Sequence, residues 1–259
     1  MQTTDRALAV DAAAIVALSV AICLASQRLA VMDAWVPAVI AARFVAWRLL
    51  PAAERGHGLV AELGWFGACL VVGAGNDWNS VTRHRIYAYG VPLERPELSL
   101  VPLWMLACWG MILRCVVSPI RWRRLALPPP RALSPWLAIP FLLALVVVTR
   151  QAIYRSYDDP VWSWLPFALA LAAAGVVLRP DRRRLALLAG VAVAGPVVEL
   201  LYIQIGQLHA YRLGWLGGVP LWIVLWWVLA VGILEQLLAR VLARGSGGSQ
   251  DPARSIRRP

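Results

Sequence analysis

LWIVLWWVLAVGIL, residues Leu221–Leu234, carries no charged side chain from end to end. A helix that is apolar all round has no face to turn to water, and the run is too long and too uniform for a half-buried strand. Similar stretches lie at Ala9–Ala30, Leu137–Val148 and Leu165–Leu178, separated by short Arg-rich or Pro-rich segments. About 20 apolar residues cross the hydrocarbon of a bilayer, so the pattern reads as a series of membrane spans. The chain of 259 residues is 60% hydrophobic, above the roughly 45–50% of soluble domains. A soluble globule has no core large enough to hold them.

Eight spans are expected, over residues 8–30, 34–50, 58–75, 99–118, 134–153, 161–178, 184–206 and 218–243. The first, preceded only by Arg6 and not followed by a small-residue cleavage site, reads as a retained helix rather than a signal peptide. A net charge of +11 would suggest nucleic acid in a soluble protein. Here the arginines fall between spans, where membrane orientation accounts for them, and no nucleic-acid partner is expected. The loop with Arg114, Arg121, Arg123, Arg124 and Arg131, the loop with Arg179, Arg182, Arg183 and Arg184, and the tail with Arg240, Arg244, Arg254, Arg257 and Arg258 alternate onto one side. The positive-inside rule makes that side, with both termini, the cytoplasmic face of a cell (inner) membrane. The opposite loops mix Arg83, Arg85, Arg95, Arg150 and Arg155 with Asp77, Glu94, Glu97, Asp158 and Asp159. Pro128-Pro129-Pro130 marks a stiff connection, and the Gly/Ser/Arg/Pro tail from Gly245 on reads as disordered.

The two halves repeat one another. Val101-Pro102-Leu103-Trp104 returns as Val219-Pro220-Leu221-Trp222, Trp109 as Trp227, Tyr87-Ala88-Tyr89 as His209-Ala210-Tyr211, Asp77 as Glu199, and Trp35-Val36-Pro37 as Trp164-Leu165-Pro166. The fold class expected is therefore all-α, a polytopic helix bundle of two parallel four-helix repeats: residues 1–118 and 134–244, joined by a linker over 119–133 and followed by the tail 245–259. Four spans per half give both halves the same orientation. The matched elements then reach one outer face, where a cleft between the halves could present both acids to one ligand.

A carboxylate well inside a span is costly and faces a bundle interior or a wet cavity. Glu199 lies 15 residues beyond Arg184, about 22 Å along a helix. Tyr202 shares its helical face, Gly206 permits close backbone approach, and Pro196 can kink the span before it. The plain alternative is an acid that locks two helices together. Asp77, in Gly75-Asn76-Asp77-Trp78-Asn79, sits at the outer end of its span, where water can solvate it; alone it would be a cap or loop acid. Paired carboxylates suit acid–base work, with Tyr89, Tyr202, His209 and Tyr211 as proton relays or orienting groups. Trp104, Trp109, Trp222, Trp226 and Trp227, with Trp78 at the interface, form either core packing or an aromatic wall that stabilises a cation. Arg43 is expected to pair internally or snorkel, and Glu235 to join an end-of-span charge cluster. Cys23, Cys69, Cys108 and Cys115 read as buried free thiols, His57, His84 and His209 are too few for a histidine-rich metal centre, and neither metal nor cofactor is expected.

An acid, then Tyr/His-Ala-Tyr, then Gly-Val-Pro-Leu-Trp and a further Trp resembles a loose group of membrane enzymes acting on isoprenoids: the carotenoid hydratases, the heterodimer-type lycopene cyclases and the fungal meroterpenoid cyclases. Pro92-Leu93-Glu94 is similar to part of the lycopene cyclases' Pro-Leu-Glu-Glu stretch. The resemblance covers residues 76–109 and 199–227; the doubled Glu is missing, the second half has no Glu after Pro220-Leu221, and eight spans exceed the roughly seven of those relatives. It implies that Asp77 and Glu199 protonate an alkene of a hydrophobic isoprenoid, as in a cyclase or hydratase. A transporter or small-ligand binder using the same acids, or a structural membrane subunit, are the competing readings.

Overall fold

In the computed structural model, which describes residues 3–128 and 133–246, the chain is a bundle of helices: α1 Asp5–Ala25, α2 Leu29–Leu49, a short α3 Ala52–Arg55, α4 Leu59–Trp78, α5 Leu103–Ile120, α6 Pro135–Ser156, α7 Leu165–Leu178, α8 Arg182–Gln204 and α9 Leu221–Ser246. Seven of these are long and apolar enough to cross a membrane, as befits a multi-pass membrane protein. The sixth expected span is the exception. Its helix, α7, has 14 residues, about 21 Å at 1.5 Å each, against roughly 30 Å of hydrocarbon. Pro166 fixes its first turn, while Val161–Trp164 are spent on the approach to it, and Arg179 ends it in a left-handed conformation (φ 46°). The remaining spans fall within a few residues of expectation, and α2 runs unbroken through Pro37.

Contacts sort the loops into two ends. At one, Gln27 in the α1–α2 turn donates to the carbonyls of Gly90 and Gln207, and Arg212 stacks over Tyr157 beyond α6. At the other, Thr3 exchanges backbone bonds with Arg121 and Arg123, Thr4 reaches Glu54 and Arg183 reaches Ala126. Between α4 and α5 the chain makes a π-helical turn at Asn79–Arg83 and then β1, Tyr87–Tyr89; between α8 and α9 it makes β2, His209–Tyr211. These strands pair antiparallel, Tyr87 with Tyr211, Ala88 with Ala210 and Tyr89 with His209. The two motifs that repeat in sequence thus bond to each other, across some 120 residues, at what we term the strand end.

Helix α5 packs on α1, α2 and α4, and α9 on α6, α7 and α8, with α5 and α9 meeting in the middle. One apolar core forms around α1, α2 and α5, a second around α6, α7 and α9, and a third joins α4, α5, α8 and α9 away from the strands. Large aliphatic side chains such as Val60, Val71, Val147, Val176 and Val193 point outward, as lipid contact requires. The linker positions 129–132, Arg131 included, and the tail from 247 on lie outside the described residues; Gly245 and Ser246 end α9 instead of opening a tail.

Candidate functional site

Asp77 is not solvated. It is fully buried near the end of α4, covered by the strands that fold back over it. Tyr87 and Tyr89 donate their hydroxyls to its two oxygens, the Tyr89 bond being 2.8 Å, and Trp109 Nε1 donates at 2.6 Å. Alternation along β1 places both tyrosines on the same face, which is why one short strand supplies two donors. Tyr87 pairs with Tyr211 and matches His209 in the repeat, a signal that could have singled it out beside Tyr89. Burial, then the adjacent Asp77 charge, pushes both phenols well above the ordinary tyrosine range, so they remain donors.

Glu199, on α8, has a different setting. Its side chain is 13% exposed, and its Oε2 lies 2.9 Å from His209 Nε2, at ion-pair distance but off the line of a hydrogen bond. His209 comes from β2, with its ring against Tyr87, Tyr89 and Tyr211. Tyr202, one turn beyond Glu199, is bonded to Ser19 of α1 at 2.8 Å, and Gly206 lets the end of α8 approach the α1 backbone, where a Cβ would stand 3.0 Å from the Ile22 carbonyl oxygen.

Glu199 opens into a cavity of about 480 Å³ between α1, α5, α8 and α9. Its lining is chiefly aliphatic and aromatic, and among the described residues Glu199 is its one carboxylate. Tyr87, Tyr89, His209, Tyr211, Trp109 and Trp227 close the strand end; from there it runs down α8 to Leu187, about 18 Å at helical rise. Val16, Val20 and Val198 both line it and face outward, so its mouth opens between α1 and α8 on the lipid-facing side. Asp77 stands behind this wall, off the cavity itself. On the far side of Glu199 lies a chamber of about 30 Å³, walled by Asn76, Ser80, Arg150 and Tyr211 together with Trp222, Trp226 and Trp227.

The tryptophans divide. Trp109 and Trp227 stack with centroids 6.3 Å apart on the cavity wall. Trp222 and Trp226 face the small chamber and pack on Phe167. Trp104 lies in the core of the first half, away from both spaces. Trp78 is 40% exposed and donates to the Leu98 carbonyl. These last two are packing and surface groups, not cavity lining. Glu94, carried by the lycopene-cyclase-like piece, caps α5 by accepting from the Leu103 and Trp104 amides.

Two glycines escaped the sequence reading. One turn before each acid stand Gly73 and Gly195; a Cβ at Gly73 would lie 2.9 Å from Trp109, and one at Gly195 3.0 Å from the Trp227 ring. Each notch admits the tryptophan of the neighbouring helix. A buried charge cluster also went unread. Asp11 and Glu62 bond Arg43 and Arg114 inside the first half, with His57 beside Glu62 and Ser118 beside Asp11. Arg114 is thus a buried member of α5 and not a loop arginine, whereas Arg43 pairs internally as expected. Isolated acids in LAVDAAAI and LVAELGW were the signal for it. In the second half Arg184 binds Glu235 and Asp181. Compared with known protein families, with curated proteins and with solved structures, the chain matches none.

Proposed function

We propose that this protein is a membrane-embedded acid catalyst that protonates an alkene of a hydrophobic isoprenoid, with Glu199 as the proton donor. The observation that carries the reading is the aliphatic cavity, open toward lipid and holding, among the described residues, a single carboxylate at its aromatic end. A long apolar chain entering from the bilayer would lie along α8 with one double bond against Glu199. The carboxyl gives its proton to one alkene carbon, and His209, 2.9 Å away, exchanges protons with it between turnovers. The carbocation then lies among the ring faces of Trp109, Trp227 and Tyr87. Asp77, behind those rings, orients Tyr87, Tyr89 and Trp109 and adds its negative potential in a low-dielectric setting.

The same reading takes the chain as two parallel four-helix repeats in an inner membrane, with cytoplasmic termini. Support comes from the shared packing scheme of the halves, the glycine notches, and the β1–β2 register, which a two-fold axis between Ala88 and Ala210 would generate. The test is the lipid extract of cells expressing wild type or Glu199→Gln at equal level beside an isoprenoid supply. Glu199→Gln should fold and make no product, since the amide keeps the shape and cannot donate the proton. An identical isoprenoid profile for both proteins ends the enzyme reading. Retained ligand binding with lost pH dependence points to a transporter, and mere loss of stability to a structural subunit.

A further inference from the structure

Arg150 of α6 is 6% exposed, yet among the described residues no carboxylate comes within 4.0 Å of it. Its guanidinium bonds Ser80 Oγ and, at 3.4 Å, the Tyr154 hydroxyl, and it lies over the rings of Tyr154 and Trp226 at 5.2 and 5.0 Å. A guanidinium has five N–H donors, and unmet ones inside a protein call for an acceptor. The space it faces is the 30 Å³ chamber, which it shares with Asn76, Ser80, Glu199 and Tyr211. A water needs about 10–15 Å³ of such volume and two to four polar partners, so the chamber has room for about two or three. It is also too small for an organic ligand. Among the described residues, Trp227 Nε1, in the wall common to both spaces, finds no hydrogen-bond partner, and neither does Glu199 Oε2.

We infer that this chamber holds the second substrate, water, and that Arg150 and Ser80 are its positioning residues. The inference rests on the acid-catalyst reading of Glu199 and specifies its outcome as hydration instead of ring closure. Glu199 donates its proton to one alkene carbon, using the π electrons for the new C–H bond. A water from the chamber side forms a C–O bond to the cationic carbon, and the resulting oxonium returns a proton to the Glu199 carboxylate. The sum is alkene plus water to alcohol, with the acid regenerated. The two sides of the site are built for this division: the α1–α8 side is wide and aliphatic, and the α6 side is narrow and carries the Arg150 guanidinium with Asn76 and Ser80 among its aromatic walls.

The test uses the full-length protein in liposomes with squalene and lycopene, both acyclic polyenes, as probes in oxygen-18 water. Wild type should yield an alcohol heavier by one labelled water. Asn76→Leu, which fills the chamber, should lower the alcohol roughly tenfold or more, the scale of one lost transition-state hydrogen bond, and raise isomers of unchanged mass. Ser80→Ala removes a single buried atom and should shift the same ratio, keeping the test decisive if Asn76→Leu fails to fold. A purely structural role would reduce all products together. Only unchanged-mass isomers from wild type would overturn hydration while leaving the acid reading intact. An unaltered alcohol-to-isomer ratio in both variants would overturn the chamber's role, and no product from wild type would bring down the inference and the reading beneath it together.

Discussion

Asp77 and Glu199 hold matching places in the sequence and meet unlike surroundings: one is sealed under two phenols and an indole, the other opens into a cavity. Tyr87→Phe should therefore strip one donor from a buried acceptor and cost about 1–3 kcal/mol, read as a lower thermal midpoint in detergent. Glu199→Gln, with no aligned hydrogen bond to lose to His209, should leave that midpoint within about 1 kcal/mol. The reverse ranking would contradict the assignment of Asp77 as the anchor. Of the two acids, one was legible from the residues alone. Glu199 is legible as a costly acid in an apolar helix, because depth in a span follows from counting residues. The burial of Asp77 is not, because it depends on a strand pairing that closes over a helix end from far along the chain. Arg114 misled for a simpler reason: near a span end, a snorkelling arginine and a buried one have the same sequence neighbours.

The helices are set against each other by small features with large leverage. Gly73→Val should drive Trp109 off Asp77, with a cost of about 1–3 kcal/mol for the overpacked contact and a red-shifted tryptophan emission where the indole meets a wetter setting. Unchanged emission would show that the notch does not seat that tryptophan. Glu62→Ala should be worse. It leaves Arg43 and Arg114 facing each other without their shared acid, and removing one partner of a buried ion cluster costs about 3–5 kcal/mol. A variant as stable as wild type would mean that the arginines find other partners. At the start of α8, Asp181 accepts from the Arg183 and Arg184 amides. Partial burial works against its charge, but these bonds and Arg184 prevail and hold its carboxyl below the ordinary range. Its stabilisation is thus present from the ordinary carboxylate range upward and fades as pH falls through the lowered value; Asp181→Ala should remove about 0.5–2 kcal/mol at neutral pH and progressively less in acid. Helix positions were readable throughout because apolar length dictates them. What stopped α7 short was a turn, and turns are set by a few residues whose signal is faint beside that of a span.

For the molecule as a whole, the proposed orientation, termini inside, rests on the alternation of the arginine-rich loops. Glu97 is exposed at the strand end and Ala53 at the opposite end. With the four native cysteines replaced, Glu97→Cys should react with an impermeant thiol reagent added outside intact cells, and Ala53→Cys only after the inner face is opened. The opposite pattern would invert the orientation.

The pairing of β1 with β2 has a meaning for biogenesis. Tyr87, Tyr89 and Asp77 enter the membrane early in synthesis, but their partner strand ends at Tyr211, and α9 must still follow to bring Trp227. Until the ribosome has passed that point, the nascent chain holds a bare strand edge and an unfinished pocket, and under the proposed acid catalysis no cation would be generated in a half-built site. It also follows that a gene split within the 119–133 linker should yield two fragments inert apart and competent when made together, the strand edge of each serving as the address by which it finds the other.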